Sequence, residues 1–275
     1  EDHLRRFTLA ALEAWCGPHV PSADERARHA TALRTARESA GAAGVDLVWV
    51  EPDRTPAERD ALARIDELLA EAPARIAAFG EGWPRVELWQ DEVGGTPRLA
   101  LQLRPLPELH DTIELRTAGY LEAQHPERKG PNIARYAALN RDLGTEALLT
   151  DARGHVLEGA TTSLVWWPRE QEHPEQHGFV VASEARVPSV TESLIITAGG
   201  DRLVGEKPHR RRIGQPQPRS VTPALLADHE VWAVNALHGI RVATSIDGAP
   251  LPPPHERRLK WFREALDRAW EPVLP

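Results

Sequence analysis

The chain has 275 residues, 41% of them hydrophobic, which is enough to bury the core of one large domain or of two small ones. Its formal charge of −8 disfavours binding to nucleic acid or to an anionic membrane. The single cysteine, Cys16, excludes an internal disulfide framework, and no apolar run approaches the roughly 18 residues that a membrane span needs. No signal peptide is recognisable, so we expect a soluble, cytoplasmic protein.

The first part of the chain predicts helices followed by strands. The segments "ADERARHATALRTARESAG" and "PAERDALARIDELLAEAPARIAAFG" are rich in helix-forming residues, and each ends at a glycine. Three short alternating segments follow, "RVELWQ", "RLALQLRPL" and "TIELRTAGYL", which predict antiparallel strands. The polar segment "EAQHPERKGPN" predicts a linker. We therefore predict a small N-terminal α/β domain over 1–122, a linker over 123–128 and a larger domain over 129–275.

The second part predicts a β-rich domain. The segment "EALLTDARGHVLEG" is typical of a hairpin, and "SLVWW" and "FVVAS" are typical of strands. The loop between those two strands carries His173 and His177, but without cysteines or a fixed carboxylate pattern it predicts no metal site. A helix is predicted to open at Ser189, where bare N–H groups favour an anion. "HEVWAVNALHGIRVATSIDG" predicts two further strands, and "HERRLKWFREALDRAW" predicts a terminal helix.

Three features of the second part together indicate a pyridoxal phosphate (PLP) site. The chain has only three lysines, and Lys129 lies at the predicted domain junction, whereas Lys207 and Lys260 lie elsewhere. Glu158 follows the hairpin, and the helix start near Ser189 can hold a phosphate. PLP needs a lysine amine for its Schiff base, an acid beside its ring nitrogen and a cradle of N–H dipoles for its phosphate.

The segments "KGPN", "TEALLTDARGHVLEGATTSLVWW", "VPSVTESLI" and "EVWAVNALHGIRVATSIDG" resemble the class IV (fold type IV) PLP enzymes, which include aminotransferases and 4-amino-4-deoxychorismate lyases. The resemblance covers roughly residues 129 to 250. It implies an α+β, two-domain fold with the cofactor between the domains, and a homodimer. It also implies Lys129 as the Schiff-base lysine, Asn132 as its partner and Glu158 at the ring nitrogen. The implied phosphate contacts come from two places, Val190 and Thr191 at the helix start and Asn235 and Ala236 at the opposite turn.

Some positions depart from the family's pattern. Ser163 and Glu192 stand where the family usually has asparagine and arginine, and Ala32 stands where its phosphate-binding arginine is expected. Tyr136 is the candidate for the tyrosine that supports the cofactor's phenolic oxygen.

The reaction stays open at the level of sequence. Candidate residues for binding the substrate are Arg85, Arg104, Thr161 and Arg241. An aminotransferase and a lyase that releases pyruvate from aminodeoxychorismate both agree with the pattern. A non-catalytic relative that has lost efficient cofactor binding is the alternative, and the basic run "PHRRRIG" at 208–214 leaves a weaker hypothesis of an adaptor.

Overall fold

A computed structural model describes residues 2–17, 22–40, 53–89, 97–126, 128–169, 177–181, 186–187, 189–204 and 220–269. The described residues form two compact units, one that ends at Pro107 and one that begins at Glu108. The predicted loop residue His173 and the basic run at 208–214 lie outside the described residues. Among the described residues, no group of histidine, cysteine and acidic side chains could hold a metal ion. No described helix is long and apolar enough to cross a membrane.

The first unit packs three helices with a two-stranded sheet. Its elements are α1 (Asp2–Cys16), α2 (Ala23–Ala40), α3 (Pro56–Phe79), β1 (Arg85–Trp89) and β2 (Arg98–Gln102), and the two strands pair antiparallel. The helix α3 begins with a capping box, in which Thr55 Oγ1 accepts the Glu58 N–H at 3.2 Å and the Glu58 carboxylate accepts the Thr55 N–H at 2.7 Å. The two helices predicted from sequence in this unit, α2 and α3, are confirmed.

The second unit is built on one large mixed sheet. Its elements are β3 (Thr112–Tyr120), α4 (Ile133–Leu143), β4 (Glu146–Thr150), β5 (Val156–Gly159), β6 (Ser163–Trp167), β7 (Gly178–Val180), α5 (Val190–Gly199), a 3-10 turn (Gly200–Arg202), β8 (Leu203–Val204), α6 (Pro223–Leu226), β9 (Glu230–Asn235), β10 (Gly239–Ile246), β11 (Ala249–Pro250) and α7 (Glu256–Asp267). The strand order is β5-β4-β3-β10-β9-β6-β7-β8, and β11 pairs with β10. The predicted hairpin, the strands around it and the helices that begin at Val190 and Glu256 are confirmed.

The strand β3 differs from its prediction. The sequence predicts "TIELRTAGYL" as an antiparallel strand beside β1 and β2, but β3 pairs parallel with β4 and with β10 in the second unit. The described chain therefore divides at Pro107, whereas the predicted first domain extends to residue 122. Period-two alternation identifies a strand from its own residues, but it carries no information about which strand will pair with it.

The helix α4 was not predicted. The segment that the sequence assigns to a linker, 123–128, contains no helix or strand at its described positions, and α4 begins five residues later at Ile133. None of the α4 residues is buried, although Tyr136 and Asn140 are half-buried. It ends at Gly144, whose φ of 70° is the left-handed conformation that favours glycine after a helix.

The large sheet is covered on both faces by apolar side chains. Alternate residues of β6 belong to two different clusters, with Leu164 and Trp166 in one and Val165 and Trp167 in the other. Because successive side chains of a strand point to opposite faces, the two clusters lie on opposite sides of the sheet. The second cluster also takes in residues of α5 and α7, such as Phe262, so these helices cover that face.

Replacement of Phe262 by alanine should lower the free energy of unfolding by about 3–5 kcal/mol, since it leaves a cavity under α7. The Phe262 ring is 1% exposed and lies 5.5 Å from the Trp167 ring and 5.4 Å from the Trp232 ring. Urea unfolding measures the loss. Leu225→Ala, at a residue that is 41% exposed, is the matched control and should have little effect. Equal losses in the two variants would contradict this account of the core.

Candidate active site

Glu158 is a buried acid on β5. Glu158 is 8% exposed, and its carboxylate accepts the backbone N–H of Val187. Burial raises the pKa of Glu158 from its ordinary 4.5 to about 8, against the opposing effect of the positive charge of Arg186. The negative charges of Glu192 and Glu146 add to the increase. A cation placed against Glu158 would therefore lower this pKa and favour the ionised carboxylate.

Arg186 and Glu192 form a buried ion pair next to Glu158. The Arg186 Nη1 and Nη2 atoms lie 2.7 Å and 2.6 Å from the two oxygens of Glu192, and the two side chains are 10% and 9% exposed. Nη1 also lies 3.4 Å from the Ser163 hydroxyl. The pair is bidentate, which is the strong geometry for a guanidinium and a carboxylate. Glu192 stands where the family usually has an arginine, and its negative charge is balanced by Arg186. Arg186 was not among the residues predicted from the sequence.

The start of α5 lies beside this ion pair. Ser189 is the N-cap, and its hydroxyl accepts the Glu192 N–H at 3.2 Å. Val190 and Thr191 follow as the first helical residues and are 8% and 4% exposed. The helix start combines unsatisfied N–H groups with the positive end of the helix dipole, so it can bind an anion.

The turn between β9 and β10 is tied to the loop that follows Glu158. Asn235 Oδ1 accepts the N–H groups of Leu237 and His238 at 3.1 Å and 2.8 Å, which fixes the turn that contains Ala236. Asn235 Nδ2 donates to the Thr161 carbonyl at 3.3 Å. Two segments that the sequence predicts to serve one site, at Thr161 and at Asn235, are therefore in direct contact.

A second buried acid, Glu146, holds that loop in place. Its carboxylate accepts the Thr161 N–H at 2.6 Å, the Thr161 hydroxyl at 3.0 Å, the Thr162 hydroxyl at 3.1 Å and Asn140 Nδ2 at 2.8 Å. The loop passes so close that a Cβ atom on Gly159 would lie 2.2 Å from Thr162 Oγ1. Sequence analysis missed Glu146, because an acid at the start of a strand carries no local sign that it will be buried.

Lys129 lies in an exposed loop before α4, and Asn132 fixes that loop. Asn132 is 6% exposed, its Nδ2 donates to the Gln124 carbonyl at 2.7 Å, and its Oδ1 accepts the Gln124 N–H at 3.1 Å. Tyr136 lies in the first turn of α4. Burial is the main cause of its raised pKa, and the negative charge of Glu158 raises that pKa further. The helix that follows the Lys129 loop therefore brings Tyr136 near Glu158.

Three residues that the sequence singles out belong to the first unit. Arg85 forms an ion pair with Glu87, and Arg104 Nε donates to the Trp83 carbonyl at 3.2 Å. Ala32, at the expected place of the family's arginine, is half-buried on α2.

The comparisons with known proteins identify the fold. No family model matches the chain, and no curated protein matches it in sequence. A hypothetical aminotransferase from Mycobacterium tuberculosis, in its PLP-bound form, is 17% identical with a TM-score of 0.59, and the match covers 97% of this chain and 82% of that one. A candidate 4-amino-4-deoxychorismate lyase from Legionella pneumophila is 16% identical with a TM-score of 0.56, covering 88% and 84%.

A fold IV-transaminase from Curtobacterium pusillum is 16% identical with a TM-score of 0.56, and the match covers 79% of this chain and 73% of that one. The chain has the fold of the fold type IV PLP enzymes. The predicted fold class, an α+β fold of two domains, is confirmed. The type IV fold places Glu158, the start of α5 and the Asn235 turn in one unit, although at this level of identity it does not by itself assign roles to them.

The raised pKa of Glu158 predicts how the stability of the cofactor-free protein depends on pH. Below pH 4.5 the carboxyl is protonated in both the folded and the unfolded chain, and between 4.5 and about 8 only the folded chain keeps the proton. The free energy of unfolding should therefore fall as the pH rises through that window.

Glu158→Gln should remove this contribution, because glutamine is neutral throughout. Urea unfolding at a series of pH values measures the effect, and the exposed Glu108→Gln is the control that should keep the wild-type slope. An unchanged slope in Glu158→Gln would mean that the buried carboxyl does not titrate in this range.

Proposed function

We propose that this protein is a PLP-dependent enzyme that acts on an amino substrate, either as an aminotransferase or as a 4-amino-4-deoxychorismate lyase. The observation that carries the proposal is the buried acid Glu158, which lies close to an anion-binding helix start within a type IV fold. Among the described residues, Arg186 is the arginine whose charge acts on this carboxylate, and it is already paired with Glu192. A buried acid in this state fits a cationic partner such as a protonated pyridine nitrogen.

The described residues fit the other groups of PLP as well. The start of α5 at Val190 and Thr191 would bind the phosphate through its N–H groups, and the turn at Asn235 and Ala236 would contribute from the other side. The exposed Lys129 would supply the amine for covalent attachment. When bound, PLP supplies an electron sink that stabilises the charge left after a proton is removed from the substrate.

The residues of the chain would hold and move protons around that sink. Glu158 would keep the ring nitrogen protonated through an ionic hydrogen bond, because a cation beside this buried carboxylate favours its ionised form. The Lys129 amine would accept the proton from the α-carbon of the substrate. The hydrogen bonds of Asn132 to Gln124 would limit the motion of the loop that carries Lys129.

The two reactions use the same residues and stay open. Aminotransferases and a candidate lyase both occur among the solved structures that share the fold. Transamination would convert an amino acid to a keto acid, and the lyase reaction would release pyruvate and leave p-aminobenzoate. We favour an active enzyme over the non-catalytic alternative, which no observation on the described residues supports. A homodimer and a cytoplasmic location belong to the same proposal.

Lys129→Ala should abolish covalent attachment of PLP, because the variant lacks the amine at the site. The measurement is the absorption spectrum with PLP, followed by borohydride reduction and mass analysis of the protein. Lys260→Ala is the matched control, since the side chain of Lys260 is 79% exposed on α7. A reduced PLP adduct of the same yield in Lys129→Ala would refute the assignment of this lysine.

Glu158→Gln should slow turnover by about one or two powers of ten, on the scale of roughly 1.4 kcal/mol per tenfold, since an amide cannot form the ionic hydrogen bond. Turnover is followed as pyruvate release from aminodeoxychorismate or as amino transfer to a keto acid, whichever the wild-type protein supports. The exposed Glu108→Gln should match the wild type. Full turnover in Glu158→Gln would remove Glu158 from the site.

A further inference from the structure

Arg241 is a buried arginine with no partner in the described part of the chain. It lies on β10 and is 8% exposed, and its Nε atom is enclosed without a hydrogen bond. Burial lowers its pKa, and the negative charge of Glu146 opposes that effect. A guanidinium stays charged in proteins, so an enclosed one without an acceptor is costly. Such a residue is typical of a site that receives an anion.

Glu146, the acid whose charge acts on Arg241, forms no hydrogen bond with it among the described residues. Glu146 interacts with Arg241 electrostatically, but its two oxygens already accept hydrogen bonds from Asn140, Thr161 and Thr162. Its role is to hold the loop after Gly159. The Glu146 carboxylate therefore binds donors other than Arg241, and the N–H groups of the Arg241 guanidinium remain able to donate to a ligand.

The neighbouring histidine adds no charge of its own. His238 Nδ1 accepts the His110 N–H at 3.3 Å. Burial lowers the pKa of His238 to about 4, and the charge of Arg241 lowers it further. At neutral pH His238 is therefore uncharged and adds no second positive charge to that of Arg241.

The other two candidate arginines are already engaged. Arg85 is paired with Glu87, and Arg104 Nε donates to the Trp83 carbonyl. Arg241 differs from both, because its Nε has no hydrogen bond among the described residues. Arg241 is also linked to the proposed cofactor site through contacts. Its electrostatic neighbour Glu146 binds Thr161, and the Thr161 carbonyl accepts from Asn235.

From these contacts we infer that Arg241 binds a carboxylate group of the substrate. The planar fork of N–H donors on a guanidinium matches the two oxygens of a carboxylate. A singly charged carboxylate suits the site better than a doubly charged phosphate, because Glu146 repels a dianion more strongly. The inference rests on the proposed function for the identity of the ligand as substrate, and it narrows the substrate to an anionic one.

The test measures anion binding to the cofactor-free protein. Thermal unfolding is recorded with sodium pyruvate, sodium lactate, sodium phosphate or sodium chloride at matched ionic strength, for the wild type, Arg241→Gln and Arg116→Gln. Arg116 is exposed on β3 of the same sheet, so its replacement makes the same chemical change away from the site. Pyruvate and lactate, each with one carboxylate, should raise the unfolding temperature of the wild type and of Arg116→Gln more than phosphate or chloride does. Arg241→Gln should bind the two carboxylates about ten- to a hundredfold more weakly, the effect of losing one charge-assisted contact.

A second variant covers the case in which Arg241→Gln does not fold. Arg241→Lys keeps the positive charge but lacks the planar fork, so it should bind pyruvate about tenfold more weakly than the wild type. If Arg241→Gln or Arg241→Lys folds and binds the carboxylates as tightly as the wild type, the inference is overturned. Stabilisation of the wild type by phosphate in place of the carboxylates would overturn it too.

The same samples separate this inference from the proposed function. PLP attachment is read independently from the absorption spectrum of the wild type. If PLP fails to bind while carboxylates stabilise the protein through Arg241, the proposed function fails and the anion site stands. If PLP binds and the carboxylates have no effect that depends on Arg241, the inference fails and the proposed function stands.

Discussion

The carboxylate of Glu146 is the contact on which the candidate site depends. It binds Asn140 on α4 and both Thr161 and Thr162 in the loop after Gly159, so one buried acid joins a helix, a strand and a loop. These neutral side-chain and backbone donors satisfy the acid, which lowers the cost of burying it. Through Thr161 the same network reaches Asn235.

The network matters for function because the pieces it joins come from distant parts of the sequence. The loop of Lys129 leads into α4, where Tyr136 lies near Glu158, and Asn140 on the same helix contacts Glu146. A shift of this helix would therefore move the lysine loop relative to the acid on β5. Catalytic groups must be held to within a fraction of an ångström, so a rigid network of this kind is a requirement of the proposed chemistry.

The buried charges around the candidate site comprise one ion pair and two groups outside it. Glu192 is buried but bidentately paired with Arg186, so its charge is balanced at the start of α5. Glu158 and Arg241 are the two groups outside this ion pair. The Glu158 carboxylate accepts the Val187 N–H, and Arg241 Nε has no hydrogen bond among the described residues. Under the proposed function, buried groups of opposite sign would suit a ligand that is positive at one end and negative at the other.

The sequence by itself determined the elements whose signal is local. The alternation of "EALLTDARGHVLEG" gave a hairpin, and the hydroxyl of Ser189 marked the start of α5, because both signals depend on residues close together in the chain. The resemblance of the second half also led to the type IV fold.

The tertiary structure alone decided the partners. It placed β3 between β4 and β10, buried Glu146 under a threonine loop, paired Arg186 with Glu192 and left Arg241 Nε without an acceptor among the described residues. Strand pairing, the burial of an acid and the pairing of two charges depend on residues far apart in the chain, and the free energy of each depends on the solvent that the folded structure excludes. A sequence pattern that spans only a few residues therefore cannot predict strand pairing, the burial of an acid or the pairing of two charges.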